Sequence, residues 1–261
     1  MTMTIPNSDI DLSVSNYGTT RHIEYQAALI PWGATEPHNL HLPYLTDAIL
    51  SHDIAVDTAI KLRDLHGINA IVMPPVNMGS QNPGQRSLKF CVHARYDTQR
   101  AILTDIASSL FSQGIRLLVI INGHGGNNFR NMIRDLAVDM PEMTIACGEW
   151  YKVLPAKDFF DAPGDHADEL ETSVMMHYHP ELVNLDTAGE GKAGGFRSEE
   201  LRRGTLWIPR RWNRVSRDTG IGSPKAATSE KGARFADAVT THLARAVADL
   251  TKSDLYLPIP E

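Results

Sequence analysis

Cysteine is nearly absent from this chain of 261 residues. Cys91 and Cys147 are its only two, far apart and without CxxC spacing. That argues against a disulfide framework and a thiolate zinc site, and it fits a reducing compartment. An excess of basic charge is missing too: 25 Lys and Arg stand against 31 Asp and Glu, a formal net charge of −6. General affinity for nucleic acid or for an anionic membrane surface is therefore disfavoured. No apolar run reaches the ~18 residues that a membrane helix needs. The opening "MTMTIPNSDIDLSVSNYG" lacks the basic and apolar regions of a signal peptide. Internal repeats and low-complexity tracts are missing, as are a GxSxG elbow and a Cys/His pair for nucleophilic catalysis. The expectation is a soluble, cytoplasmic protein whose partner is a small molecule, with no nucleic acid and no membrane.

Hydrophobic residues make up 42% of the chain, enough for one sizeable core, and residues 1–261 are read as a single domain. Within it, residues 1–20 read as an irregular arm and residues 186–225 as a loop-rich embellishment. Short, nearly continuous apolar runs alternate with amphipathic stretches, the signature of a parallel sheet covered on both faces. Strands are expected at Gln26–Trp32, Asn69–Val76, Arg116–Asn122 and Met143–Trp150. A helix fits between the first two, with Thr46 as N-cap, Ile49, Val56, Ala59 and Ile60 on one face, and Gly67 as the stop. A second helix ends at Gly114, and a third follows the third strand. The last, in Glu230–Leu250, aligns Phe235, Val239, Leu243, Ala246 and Leu250 and is expected to pack on the sheet. The fold class is α/β, with a doubly wound layer as the leading architecture.

Three clusters carry chemistry. In "IPWGATEPHNLHLPYLTD", Glu36 and His38 stand two apart on the exit from the first strand, where a period of two turns both side chains the same way. Asp47 then opens the following helix. In "LLVIINGHGGNN", His124 is flanked by glycines that permit close backbone approach and positive φ. A phosphate cradle is the competing reading there, but the spacing is neither GxGxxG nor GxxxxGK[ST]. In "GDHADELETSVMMHYHPELV", His166 precedes a helix with Asp168, Glu169 and Glu171, and the pattern alone does not choose between the two glutamates. Asp168 and Glu169 are expected to raise the pKa of His166 and hold it as an acid. Taken singly, His41, His52, His177 and His179 read as satisfied polar groups. Taken together, the His and carboxylate clusters at strand ends suit Zn, Mn or Fe(II). The basic stretch "LRRGTLWIPRRWNRVSRD" reads as an exposed loop with a short hairpin, with an oligomer contact or a lid as the alternative.

These motifs resemble a known family. "GATEPHNLHLPYLTD" is similar to the GxxEQHGPHLPxxTD signature of the creatininase (creatinine amidohydrolase) family, "INGHGGN" to its NGHGGN, "HADELETSVMMHYHPELV" to its HAGExETSxxL…PELV, and "DTGIGSPKAATSEKG" to its GxxGdPxxAtxekG. The resemblance implies a three-layer α/β/α sandwich with a mostly parallel central sheet. It also implies a homo-oligomer, a hexamer by the family pattern, with two divalent metal ions per chain (Zn, Mn or Fe). Carried over by position, Glu36, Asp47 and His124 would hold one ion, His38 and a bridging Asp47 the other, and His166 would handle protons. Glu171, the acid of the matched "ETS", is preferred to Glu169 as a catalytic and metal-site carboxylate.

The departures fall near the site. Pro37, Asn39 and Leu40 replace the usual Gln, Gly and Pro, and Tyr44 and Leu45 a more usual Leu-Gly. Gly125 and Gly126 stand where true creatininases carry a substrate-contacting tyrosine and a metal-binding glutamate, so creatinine is not the expected substrate. The function implied is a metal-dependent amidohydrolase that cleaves a C–N bond of a small cyclic amide or formamide with a metal-bound hydroxide. Alternatives are hydrolysis of a cyclic ketone or lactone of a sugar or cyclitol, and a non-catalytic metal- or ligand-binding scaffold.

Overall fold

The four apolar runs pair as parallel strands in the order β2-β1-β3-β4: β1 Ala27–Trp32, β2 Ala70–Val72, β3 Leu117–Asn122 and β4 Thr144–Glu149. A computed structural model describes residues 6–252, 255–257 and 259 of the chain, and residues 1–5 of the expected N-terminal arm lie outside the described residues. Alternation along each strand sends side chains to opposite faces, and both faces are covered. Ala27, Leu29, Val72 and Val119 meet one helical layer, while Ala28, Ile30, Trp32 and Ile120 meet the other. The first layer contains α2 (Thr46–His66), α5 (Glu169–Tyr178) and α8 (Ser229–Leu250); the second contains α3 (Tyr96–Ser112) and α4 (Arg130–Asp139). The result is the expected three-layer sandwich. Three short helices, α1 (Tyr17–Thr20), α6 (Glu199–Arg203) and α7 (Trp212–Val215), lie in the connections.

Several details differ from the sequence reading. Strand β2 stops at Val72, although Met73 N still donates to Leu29 O; Pro74 and Pro75 carry no N–H for the ladder, and the chain rejoins β1 where Val76 N donates to Pro31 O. Thr46 does not cap α2: the cap position is Leu45, and the Thr46 hydroxyl donates to Pro43 O at 2.8 Å. The stop is as expected, with Gly67 left-handed at φ 67°. Helix α8 packs on α2 and α5 and reaches the sheet at β4, where Leu243 lies over Gly148, so it joins the core that covers this face as expected. In its stripe Ala246 is exposed and Val247 takes the buried place. Asp11 bridges to Val72, so the described part of the arm covers the free edge of β2.

Helices α5 and α8 touch through a glycine. A Cβ placed on Gly232 would lie 2.0 Å from Ser173 O, so the two backbones approach as closely as glycine permits. Gly232→Ala is expected to push them apart and cost about 1–3 kcal/mol, the usual range for overpacking. Thermal unfolding checks this, with a fall of about 2–4 °C per kcal/mol for a domain of this size. An unchanged midpoint would show that the contact relaxes freely.

Candidate metal centre

The connection from β1 leaves towards β2 on one side, and that from β3 leaves towards β4 on the other. The carboxyl ends of β1 and β3 therefore form a topological switch point, where open α/β sheets place ligands. Glu36 and His38 follow β1, and His124 follows β3. Asp47 lies in the first turn of α2, and the extended segment through His166 is held by an antiparallel bridge to Ile221. All of these side chains are buried, with Glu171 from the first turn of α5.

The geometry centres on Asp47. Its Oδ1 lies 2.9 Å from His38 Nε2, and its Oδ2 lies 3.1 Å from His124 Nδ1. His124 Nδ1 is also 3.0 Å from Glu36 Oε1, and His166 Nδ1 is 3.7 Å from the same oxygen. The remaining nitrogen of each imidazole donates to a backbone carbonyl: His38 Nδ1 to Glu36 O (3.0 Å), His124 Nε2 to Ser80 O (2.7 Å) and His166 Nε2 to Pro37 O (2.9 Å). Anchoring one nitrogen on a carbonyl fixes the tautomer and turns the other nitrogen into the cluster, as in histidines that ligate metals. Three overlapping groups have ligand atoms mutually within 4.8 Å: Glu36, His38 and His166; Glu36, Asp47 and His124; His38, Asp47 and Glu171. Asp47 Oδ2 receives no well-aligned hydrogen bond although it is buried. A mixed N/O donor set with an orphaned carboxylate oxygen fits a divalent cation such as Zn, Mn or Fe(II).

Crowding explains the glycines. A Cβ on Gly123 would lie 2.3 Å from Ser51 Oγ and 2.6 Å from Asp47 O, and one on Gly126 would lie 2.0 Å from Ser80 O. Neither glycine has positive φ, so of the two freedoms that glycine offers here, close approach is the one both use.

Burial opposes charge throughout the cluster, and neighbours decide the outcome. For His38 burial pulls the pKa down, but Asp47 overrides it and lifts the imidazole to about 9. His124 is likewise raised, against burial, by Glu36 and Asp47. Asp47 is lowered, against burial, by His38 and His124, and Glu36 is lowered by His124 and His166. Burial pushes Glu171 up to about 8, with His38 opposing and Asp47 reinforcing. Imidazoles that take up protons beside paired carboxylates are standing in for missing positive charge. His166 behaves oppositely: burial and then His38 lower its pKa, which corrects the expectation that Asp168 and Glu169 raise it. Those acids are engaged elsewhere. Asp168 caps α5 by accepting from Glu171 N at 3.1 Å, while Glu169 accepts from Ala162 N and pairs with Lys231.

The structure thus brings Glu36, His38, Asp47, His124, His166 and Glu171 together and turns Glu169 away. His52 pairs with Asp11, His179 pairs with Asp53 and His177 is exposed, as satisfied or solvated groups, whereas His41 bonds Thr172 Oγ1 through Nε2 at 2.8 Å but leaves its buried Nδ1 without a partner, against the expectation for it. Gln85 was not singled out from the sequence: it is buried and donates to Glu36 Oε2 at 2.5 Å. Its only signal was a polar residue in a Gly/Pro loop. In the embellishment no hairpin forms among the described residues; a single bridge joins Ala193 to Ser216. Trp207–Arg210 and Trp212 instead line the cleft of about 1000 Å³ above the cluster. Asn39, left-handed at φ 54°, ties the loop carrying His38 to this region by accepting from Gly189 N at 2.8 Å.

Known proteins resemble this chain in sequence and fold. A creatininase-family crystal structure from Bacteroides fragilis NCTC 9343 superposes with a TM-score of 0.94 at 52% identity, covering 96% of this chain and 100% of that one. The mycofactocin precursor peptide peptidase of Mycobacterium ulcerans (strain Agy99) is 31% identical over 85% of this chain and 84% of its own length. The creatinine amidohydrolase of Pseudomonas putida is 24% identical over 85% and 88%, and the 3-dehydro-scyllo-inosose hydrolase of Thermotoga maritima 22% over 85% and 76%. These relatives act by name on a peptide, on creatinine and on a cyclitol. The family model for creatinine amidohydrolase matches residues 16–247, and the chain belongs to the creatininase family.

Proposed function

We propose that this chain is a metal-dependent hydrolase that cleaves the C–N bond of a carboxamide; the cyclic amides and formamides expected from the sequence are its simplest bearers. The observation that carries the reading is Asp47, whose two oxygens face two different histidines. Glu36, Asp47 and His124 would hold one divalent cation, and His38, Asp47 and Glu171 the other, with Asp47 shared. Glu171 then supplies the carboxylate that Gly126 does not. Two such cations supply Lewis-acid polarisation of a carbonyl and acidify a water.

The chain's own groups do the rest. The buried carboxylates and the carbonyl-anchored histidines hold the donor geometry rigid, which is what electrostatic preorganisation requires. His166, neutral because its pKa is lowered, keeps its Nε2 proton on Pro37 O and leaves Nδ1 bare towards Glu36. It is placed to take a proton at Nδ1 from the attacking water and return it to the leaving nitrogen. That replaces the standing acid expected from the sequence with a proton shuttle.

Purified protein should hold about two divalent ions per chain. Asp47→Ala should lose both, whereas His38→Ala should keep one; equal occupancy by elemental analysis would contradict the shared role of Asp47.

His166→Ala should retain its metal and lose about 10²–10⁴ in turnover, the range for general acid–base catalysis. Loss of metal from this variant would make His166 a ligand through the group it forms with Glu36 and His38.

Between about pH 6.5 and 9, stability of the metal-free protein should fall as pH rises. His38, lifted from 6.5 to about 9, contributes fully below about 6.5 and loses that contribution as pH passes about 9. Glu171, lifted from 4.5 to about 8, acts in the same direction over its own window. Cations displace these protons, so the gain in Tm on adding Zn or Mn should grow between pH 6.5 and 9. A gain that is flat with pH would mean that the cation binds elsewhere.

A further inference from the structure

The cleft is larger than the reacting bond requires, and one wall of it is apolar. At about 1000 Å³ it lies at the upper end of the usual range for small-molecule sites. Its polar lining, with Ser80, Asn82 and Gln85, adjoins the carboxylate and histidine cluster. The same cleft is also lined by two separate apolar runs, Val153–Pro155 and Trp207–Pro209.

The second run is built in an unusual way. Trp207 is 83% exposed and its neighbour Leu206 70%, although burying an indole is strongly favourable. Five residues on, the same segment is firmly held. Trp212 is buried, its backbone N–H donates to Pro83 O at 2.8 Å, and its ring meets that of His166 edge-on at 5.3 Å. Arg210 lies over the Trp212 ring and pairs with Asp165, next to His166, at 2.5 Å. The segment is thus anchored against the cluster at one end and presents a bare indole to the cleft at the other. A side chain kept in water by a loop fixed this firmly is placed to be covered by something that enters the cleft.

We infer that Trp207, with Ile208 and the Val153–Pro155 run, is the specificity element of the cleft, and that the substrate is an amide bearing a bulky apolar or aromatic group beside the scissile bond. This rests on the hydrolase reading above for the bond but not for the binding. An indole offers a flat apolar face with little side-chain freedom to lose, so an aromatic group gains by stacking on it and a group as small as a methyl does not.

A matched pair of probes tests this: N-acetyl-phenylalaninamide and N-acetyl-glycinamide, which share their amides and differ by one benzyl group. Binding to the metal-loaded protein and to each variant is followed by calorimetry, and hydrolysis is assayed separately. The phenylalanine probe should bind the native protein more tightly, by about tenfold, a difference that Trp207→Ala abolishes and Trp207→Phe largely restores. Binding of the glycine probe should be unaffected by either substitution. Equal affinity of the native protein for both probes, or equal weakening of both by Trp207→Ala, would overturn the inference. Selective binding without hydrolysis would leave the inference standing and count against the amidohydrolase reading. Hydrolysis with no dependence on Trp207 would do the reverse.

Discussion

A buried carboxylate shared between two histidines is the constraint on which the rest of this site depends. Asp47 is almost wholly removed from water, and a charge so placed persists only with compensating partners. Its position in the first turn of α2 supplies part of that compensation through the helix dipole. His38 and His124 supply more, each on its own oxygen. Yet Glu36 and Glu171 crowd the same space, so the cluster carries three carboxylates for the histidines to balance. The raised pKa values of His38 and His124 express that excess of negative charge. Two divalent cations would balance it without protons.

Rigidity comes from outside the cluster. Backbone carbonyls of residues 36, 37 and 80 orient the three imidazoles, and Gln85 fixes Glu36. The carbonyls at 36 and 37 belong to the same loop that carries Glu36 and His38, so the loop's own fold sets the direction of two histidines. Gly123 and Gly126 let the loop after β3 press against α2 and residue 80. A side chain at Gly126 would run into Ser80 O and His124 Nε2, the two ends of the hydrogen bond that orients His124, and one at Gly123 would run into Ser51 Oγ and Asp47 O. The switch point between β1 and β3 makes the site possible, but these loops give it its geometry.

Much of this was legible in the sequence because it follows periodic or local rules. Continuous apolar runs announced the parallel sheet, and Gly67 and Gly114 announced helix ends. Glu36, His38, Asp47 and His124 were visible because strand ends in α/β sheets converge on one crevice. Other features depend on contacts between distant segments. The choice of Glu171 over Glu169 turns on Lys231, more than sixty residues away, which takes Glu169 for itself. The lowered pKa of His166 arises from burial and from His38, both products of packing, whereas the sequence showed only the acids beside it. Two prolines shortened β2, and α8 divides its apolar stripe among α2, α5 and β4, consequences readable only once the neighbours were in place. The place of Trp207 at the cleft wall had no periodic signal at all.

Anomalous scattering from crystals grown with Mn or Zn would locate the cations. Two peaks about 3.5–4 Å apart are expected, one on each side of the Asp47 carboxylate, with His124 beside one and His38 beside the other. A single peak, or two that do not share Asp47, would contradict the shared role of Asp47.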